Sequence, residues 1–498
     1  MVLSALQYTP YTWGQAASDL QQIAPIAIVT VALIVGVLVD LVLPWRQSGS
    51  AVAIIASVAL VAAFAVSLVR MAGGGGHLAY HGFVTGDDFA LFFEALFSLL
   101  GVFTVALGHT YVHRRRLREA EFSVLMLAAI VGMMALAAAT SLVTVFVALE
   151  TFSLSLYVLS GYLRHETRSQ EAAVKYLIVG GFASAFLLYG MALIYGASGS
   201  TLLSVIAAEL SSNAIGNPLV VLGVLLLAVG FAYKVSGVPF HQWTPDVYQG
   251  APLPVAAFMS VGTKAAAFAM ILRVLGAGLI HLDSEWGLLL GLVAALSMIV
   301  GNVAAIAQSS VKRLLAYSSI AQAGYILVAV VAGGHEAVGG ILFYLGAYLF
   351  MNFGAFAVLI EISPGDGEKE MLSDLDGVGY RSPVLGVGMS IFMLALAGFP
   401  PLAGFIGKFF LFSPGVNHGW TWLVILAVLT SVVSVFYYMR VLVHVWTPAV
   451  RPAGERVRLG LGQVAVAAAA LLAVLIGVFP SALYYVGLLG ASALASGR

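Results

Sequence analysis

Four ionisable side chains stand in stretches that are otherwise suited to hydrocarbon. Glu150 lies in TVFVALETFSLSLYVL, Lys234 in FAYKVSGVPF, Lys264 in SVGTKAAAFAM and Lys408 in FIGKFF. Charge at membrane depth is costly, so one acid and three bases in such surroundings are first read as functional. Loss of water favours the neutral form of a titratable group, and a neighbouring opposite charge favours the ionised form. A Glu–Lys pair whose members can separate is therefore a proton switch, and the four residues together suggest a proton relay. The plain alternative is a static ion pair between helices, with the remaining lysines snorkelling toward water.

Weaker candidates surround these four. Glu171 and Lys175 are four residues apart on one helix face, the spacing of an ordinary ion pair, although Lys175 could also feed protons inward. Arg273 and Arg440 lie nearer helix ends and do not deprotonate in proteins, which suits electrostatic tuners or snorkelling anchors. Glu94, in ALFFEALFS, reads as an interfacial acid or one that faces a partner subunit. None of the ten histidines falls mid-span. His77/His81 and His109/His113 have i,i+4 spacing but no accompanying carboxylate set, so no metal or haem site is expected. With no cysteine, the chain can hold no disulfide, thiolate metal site or iron–sulfur cluster.

The elements that position these groups must be membrane helices. Of 498 residues, 61% are hydrophobic and 9% charged, and the mean hydropathy is +1.03, values foreign to soluble domains. With 22 basic and 22 acidic residues the net charge is zero, which offers nucleic acid no attractive field. A span needs roughly 20 apolar residues. The segments that qualify are 22–43, 51–70, 89–111, 121–139, 141–163, 172–196, 218–245, 254–280, 286–308, 312–333, 336–361, 384–412, 420–446 and 463–488. This predicts an all-α integral membrane protein of about fourteen helices.

Charge asymmetry gives the orientation, because Lys and Arg gather on the cytoplasmic side. With the N-terminus outside, the inner loops hold Arg46, Arg114, Arg115, Arg116, Arg118, Arg164, Arg168, Lys312, Arg313, Lys369, Arg381, Arg451, Arg456 and Arg458. Outside lie Arg70, Arg498 and several acids, among them Asp19, Asp87 and Asp88. Both termini are thus expected outside. The first twenty residues lack a basic start and an apolar core, so no removable signal peptide is read and the chain is expected to begin near Met1.

Two spans are interrupted by Gly and Pro, the seventh at Ser236-Gly237-Val238-Pro239 and the twelfth between Gly398 and Gly404, across Pro400-Pro401. Broken helices at corresponding places in two halves point to inverted-topology repeats with a site near the midplane. The repeats are read as helices 4–8 over residues 121–280 and helices 9–13 over 281–446, with helices 1–3 over 1–120 and helix 14 over 447–498. The GGGG run at 73–76 has no following Lys and no strand–helix context, so no nucleotide cradle is expected.

Three segments carry a resemblance: AYKVSGVPFHQWTPDVYQGAPLPV at 232–255, VKRLLAYSSIAQAGYIL at 311–327 and AGFPPLAGFIGKFFLF at 397–412. With them the chain resembles the antiporter-like membrane subunits of respiratory type I NADH:quinone oxidoreductase (complex I), most closely the bacterial subunit N branch. That branch is similar in placing a Lys after the FPP break, as at Lys408, where the M-type branch carries a Glu. The resemblance implies that Glu150 and Lys234 form the switch pair, Lys264 the central relay, Lys408 the exit group and Lys175 a further functional lysine. Gln322 stands where many relatives carry His, which puts a titrating group there in doubt. The resemblance also implies an inner-membrane protein packed between an M-type subunit and small J- and K-type subunits, with flavin, iron–sulfur clusters and quinone in partner chains. The alternatives are a subunit of a multisubunit cation/proton antiporter and a membrane scaffold.

Overall fold

The structure, a computed structural model, describes residues 12–210, 216–363, 367–448 and 460–496; the expected inner-loop residues Arg451, Arg456 and Arg458 lie outside these. Its helices begin with α1 (Trp13–Gln22), α2 (Ala24–Val42), α3 (Trp45–Ala72), α4 (Asp88–Arg114), α5 (Glu119–Ala137), α6 (Leu142–Ser160) and α7 (Thr167–Ser198). There follow α8 (Leu203–Glu209), α9 (Pro218–Lys234), α10 (Trp243–Gly250), α11 (Leu253–Arg273), α12 (Asp283–Ile306), α13 (Val311–Ala332) and α14 (His335–Tyr348). The last are α15 (Gly354–Ile362), α16 (Val378–Arg381), α17 (Pro383–Ala397), α18 (Ala403–Asn417), α19 (Thr421–Trp446), α20 (Leu461–Val478) and α21 (Ser481–Ser496). A hairpin of β1 (Leu78–Ala79) and β2 (Val84–Thr85) interrupts the chain before α4.

Among the described residues, 11 helices are long and apolar enough to cross a membrane, or 12 if α20 and α21 count as one span. The expected fourteen depends on how interrupted helices are counted, because α9 and α17 are apolar but only 17 and 15 residues long. The segment 463–488, expected as one span, bends by 79° between α20 and α21. Pro480 stands in that break, and a proline removes a backbone donor and clashes with the preceding turn.

Local chemistry also accompanies the two interruptions expected near the midplane. Between α9 and α10, Ser236 takes a left-handed conformation (φ +64°) and Val238–Pro239 is cis. Between α17 and α18, Gly398 has φ +92° and Pro400–Pro401 is cis. Gly398 is required twice over: its φ suits glycine, and a Cβ there would lie 3.3 Å from the Lys408 ammonium.

Helices α11, α13 and the α14–α15 pair form an enclosed centre, whereas α2, α7 and α19 turn Leu41, Phe182 and Val432 outward. Three charges read as peripheral are in fact enclosed. Arg273, expected as a snorkelling anchor or tuner, donates to both Asp87 oxygens (2.7 and 2.5 Å) and to Ala137 O (2.9 Å), with both partners of the ion pair buried. Asp87 is enclosed by the protein and joins the start of α4 to the end of α11. Lys312, expected in a loop, is wholly buried within the first turn of α13. Sequence windows place a residue relative to a helix end but do not show which neighbour covers it.

Candidate functional site

Helix α6 carries Glu150 and Ser153 three residues apart, hence on one face. The half-buried Glu150 carboxylate accepts from Ser184 Oγ on α7 (2.5 Å). Lys234, the last residue of α9, donates to Ser153 Oγ (2.9 Å) and lies 5.6 Å from the Phe152 ring centre. Lys234 and Glu150 are not within the 4.0 Å of an ion pair, so the expected pair is apart here, with a serine on each member.

Lys264 and Lys408 repeat one motif. A helix that stops mid-membrane leaves carbonyls without intrahelical partners at the negative end of its dipole. Lys264 Nζ donates to Val235 O, just past the end of α9 (3.1 Å). Lys408 Nζ donates to Leu396 O (3.0 Å) and Ala397 O (3.1 Å) at the end of α17, and to Ser431 Oγ (2.8 Å). Each break is thus closed by an ammonium from another helix, so the glycines and prolines that interrupt the helices also create the lysines' acceptors. Lys408 also borders a cavity of about 710 Å³ with Gly398, Phe405, Phe409 and Ser431.

The remaining expected residues lie elsewhere. Lys175 joins a polar cluster at the Arg-rich face, 2.6 Å from Glu171 and 2.9 Å from Asp246, which also accepts from Arg313 (2.8 Å). Partial burial pushes the Asp246 carboxyl up, but Lys175 and Arg313 outweigh it and hold the group below its ordinary value. Arg440 donates to Ile306 O at the end of α12. Glu94, expected at an interface, is instead fully buried inside the chain, and its oxygens meet no hydrogen-bond donor among the described residues. His109 and His113 do have a carboxylate, Glu119, at 3.2 and 2.7 Å.

Sequence reasoning missed the polar cluster beside Lys408. Gln322 is its hub. Its amide donates to Tyr438 Oη (3.2 Å) and to Leu396 O (3.3 Å), a carbonyl that Lys408 shares, and its carbonyl accepts from Tyr344. Tyr438 pairs in turn with Ser318 (2.5 Å). The buried hydroxyls of Tyr248 and Tyr348 lie near that of Ser319, and Tyr248 also lies near Thr263, the sequence neighbour of Lys264. The available signal was tyrosine and glutamine inside apolar spans, notably Tyr344/Tyr348 at i,i+4.

Comparison with known proteins decides the family. A family described as "NADH:quinone oxidoreductase/Mrp antiporter, TM" matches residues 139–434. NADH-quinone oxidoreductase subunit N of Trichlorobacter lovleyi is 42% identical over 86% of this chain and 88% of its own. The chain belongs to the subunit N branch of the NADH:quinone oxidoreductase/Mrp antiporter family. Subunit N 1 of Herpetosiphon aurantiacus is 48% identical over 69% of this chain and 71% of its own. A chain of respiratory complex I from Thermus thermophilus is 37% identical, with a TM-score of 0.79 over 93% of this chain and 98% of that one. A chain of the Mrp complex from Dietzia, 20% identical with a TM-score of 0.84 over 96% and 98%, shares the fold. The matched region contains all five expected relay residues, from Glu150 to Lys408.

Proposed function

We propose that this chain is the proton-translocating membrane subunit N of an NADH:quinone oxidoreductase, coupling quinone reduction in partner chains to proton transfer through Glu150, Lys234, Lys264 and Lys408. The observation that carries the reading is that the three membrane lysines, buried in the chain, rest on neutral oxygens, Ser153 Oγ, Val235 O and the Leu396–Ala397 carbonyls, not on carboxylates. An ammonium on a neutral acceptor can release its proton without stranding a buried anion, whereas one locked to a carboxylate cannot. Approach of Glu150 to Lys234 stabilises the ammonium, and their separation frees the proton. It then passes to Lys264 and across the Tyr248, Ser319 and Tyr348 hydroxyls to Lys408. Gln322 orients hydroxyls in this scheme and takes no charge itself. Lys175 and its cluster with Asp246 collect protons at the Arg-rich face.

Counting each interrupted pair as one crossing gives fourteen spans, with both termini outside a bacterial inner membrane and inverted repeats over 121–280 and 281–446. An M-type antiporter-like subunit and small J- and K-type subunits flank the chain, and flavin, iron–sulfur clusters and quinone belong to partner chains. A cysteine placed at Ser18, the only one in the chain, should react with an impermeant reagent from outside; reaction only from inside overturns the topology. The function is tested by purifying the tagged chain in mild detergent. Co-purifying subunits with flavin and iron–sulfur absorbance and NADH oxidation are expected, and antiporter subunits without either chromophore would overturn the reading.

A further inference from the structure

We propose that Glu368, on the loop between α15 and α16, is a clasp that sets the relative height of Lys264 and Gln322; this rests on the relay reading above. The Glu368 carboxylate is inserted among three elements and nearly enclosed. Its Oε1 accepts from Leu253 N, the first amide of α11 (2.9 Å), and from Tyr111 Oη at the end of α4. Its Oε2 accepts from Lys312 Nζ in the first turn of α13 (2.7 Å), and Lys312 also donates to Ala251 O (2.7 Å). The next residues zip the loop onto the same helix start: Val311 N donates to Glu370 O (2.6 Å) and Leu372 N to Ser309 O (2.9 Å).

The placement is specific in two ways. A carboxylate at the first amide of a helix meets free N–H groups and the positive end of its dipole, so Glu368 is attracted by α11 as well as by Lys312. In addition, α11 and α13 both start at the clasp and pack together. Lys264 is eleven residues beyond Leu253 and Gln322 ten beyond Lys312, so at 1.5 Å per residue they stand about 16 and about 15 Å above one carboxylate. The clasp is a common origin for two arms of similar length, carrying the central lysine of one repeat and the amide hub of the other. Glu368 acts through these helices and touches no relay group itself, so it is a positioning residue.

The test uses the assembled complex in membrane vesicles. Spin labels on cysteines replacing Arg114 and Lys369 report the distance from the loop to α4. Glu368→Gln should broaden that distance distribution, whereas an unchanged distribution means that Glu368 holds nothing. For function, the neutral pair Glu368→Gln with Lys312→Met removes both charges and avoids a stranded buried ion. With the complex assembled, it should translocate about threefold fewer protons per NADH oxidised than wild type. Lys369→Gln, one residue along and outside the clasp, should leave the ratio unchanged. An assembled neutral pair that keeps the wild-type ratio overturns the positioning role. Failure of the relay itself is seen separately, as full pumping by Lys264→Arg, and leaves the distance measurement untouched.

Discussion

Lys264 and Lys312 are equally buried, at 1% and 0% exposure, yet the chain treats them in opposite ways. Lys312 faces the Glu368 carboxylate at 2.7 Å, while Lys264 faces a single backbone carbonyl at 3.1 Å. Arg273, on the same helix as Lys264, follows Lys312 and is clamped to Asp87. Buried ion pairs thus tie helix ends together, and the lysines at the helix breaks sit on neutral oxygens. Burial alone does not distinguish these two classes of lysine; the charge of the acceptor does.

The largest effect separating the two classes is on assembly. Lys312→Met strands a buried carboxylate and should cost about 3–5 kcal/mol, seen as loss of the complex on native gels. Lys264→Met removes an ammonium from a neutral carbonyl and should leave assembly near wild type while pumping is lost. Equal loss of assembly in both variants would break the comparison. A smaller effect is expected at the hub: Gln322→Leu leaves Tyr344 without its acceptor and Tyr438 with Ser318 alone, and should slow proton transfer about tenfold, measured as proton uptake by vesicles during NADH oxidation.

Acid titration sharpens the comparison further. Burial pushes the Glu368 carboxyl up, but Lys312, Tyr111 and the Leu253 amide outweigh it and hold the group below its ordinary value. A depressed carboxylate contributes stability above its unfolded pKa and loses it as pH falls through the lower folded value. Thermal midpoints of wild type should therefore lose the clasp's contribution only below the ordinary glutamate range, and Glu368→Gln should lack that acid-dependent step. The smallest effect is expected for Ser153→Ala, which removes one neutral acceptor from Lys234 and should change pumping by about fivefold, in line with a net hydrogen bond of about 1 kcal/mol.

The buried lysines were legible because a charge inside an apolar window is conspicuous, and the breaks because Gly and Pro punctuate helices. Their connection was not. That Lys264 and Lys408 cap the carbonyls of broken helices depends on which helices pack together, information that no local window contains. Gln322 read as a gap where a histidine was expected, and in the fold it joins Tyr344, Tyr438 and the carbonyl shared with Lys408. Arg273 and Asp87 are 186 residues apart, so their ion pair left no local trace. Glu368 was one acid in a polar loop until the loop was seen folded onto α13.

The most direct test of the central claim is arginine substitution at both kinds of lysine, since a guanidinium keeps the charge but does not deprotonate. Proton translocation and NADH oxidation are measured in vesicles that hold the assembled complex. Lys234→Arg should nearly abolish both, because coupled electron flow stalls with the relay, whereas Lys312→Arg should retain most of both once assembled. Full proton translocation by an assembled Lys234→Arg complex would contradict the account and leave Lys234 a structural charge.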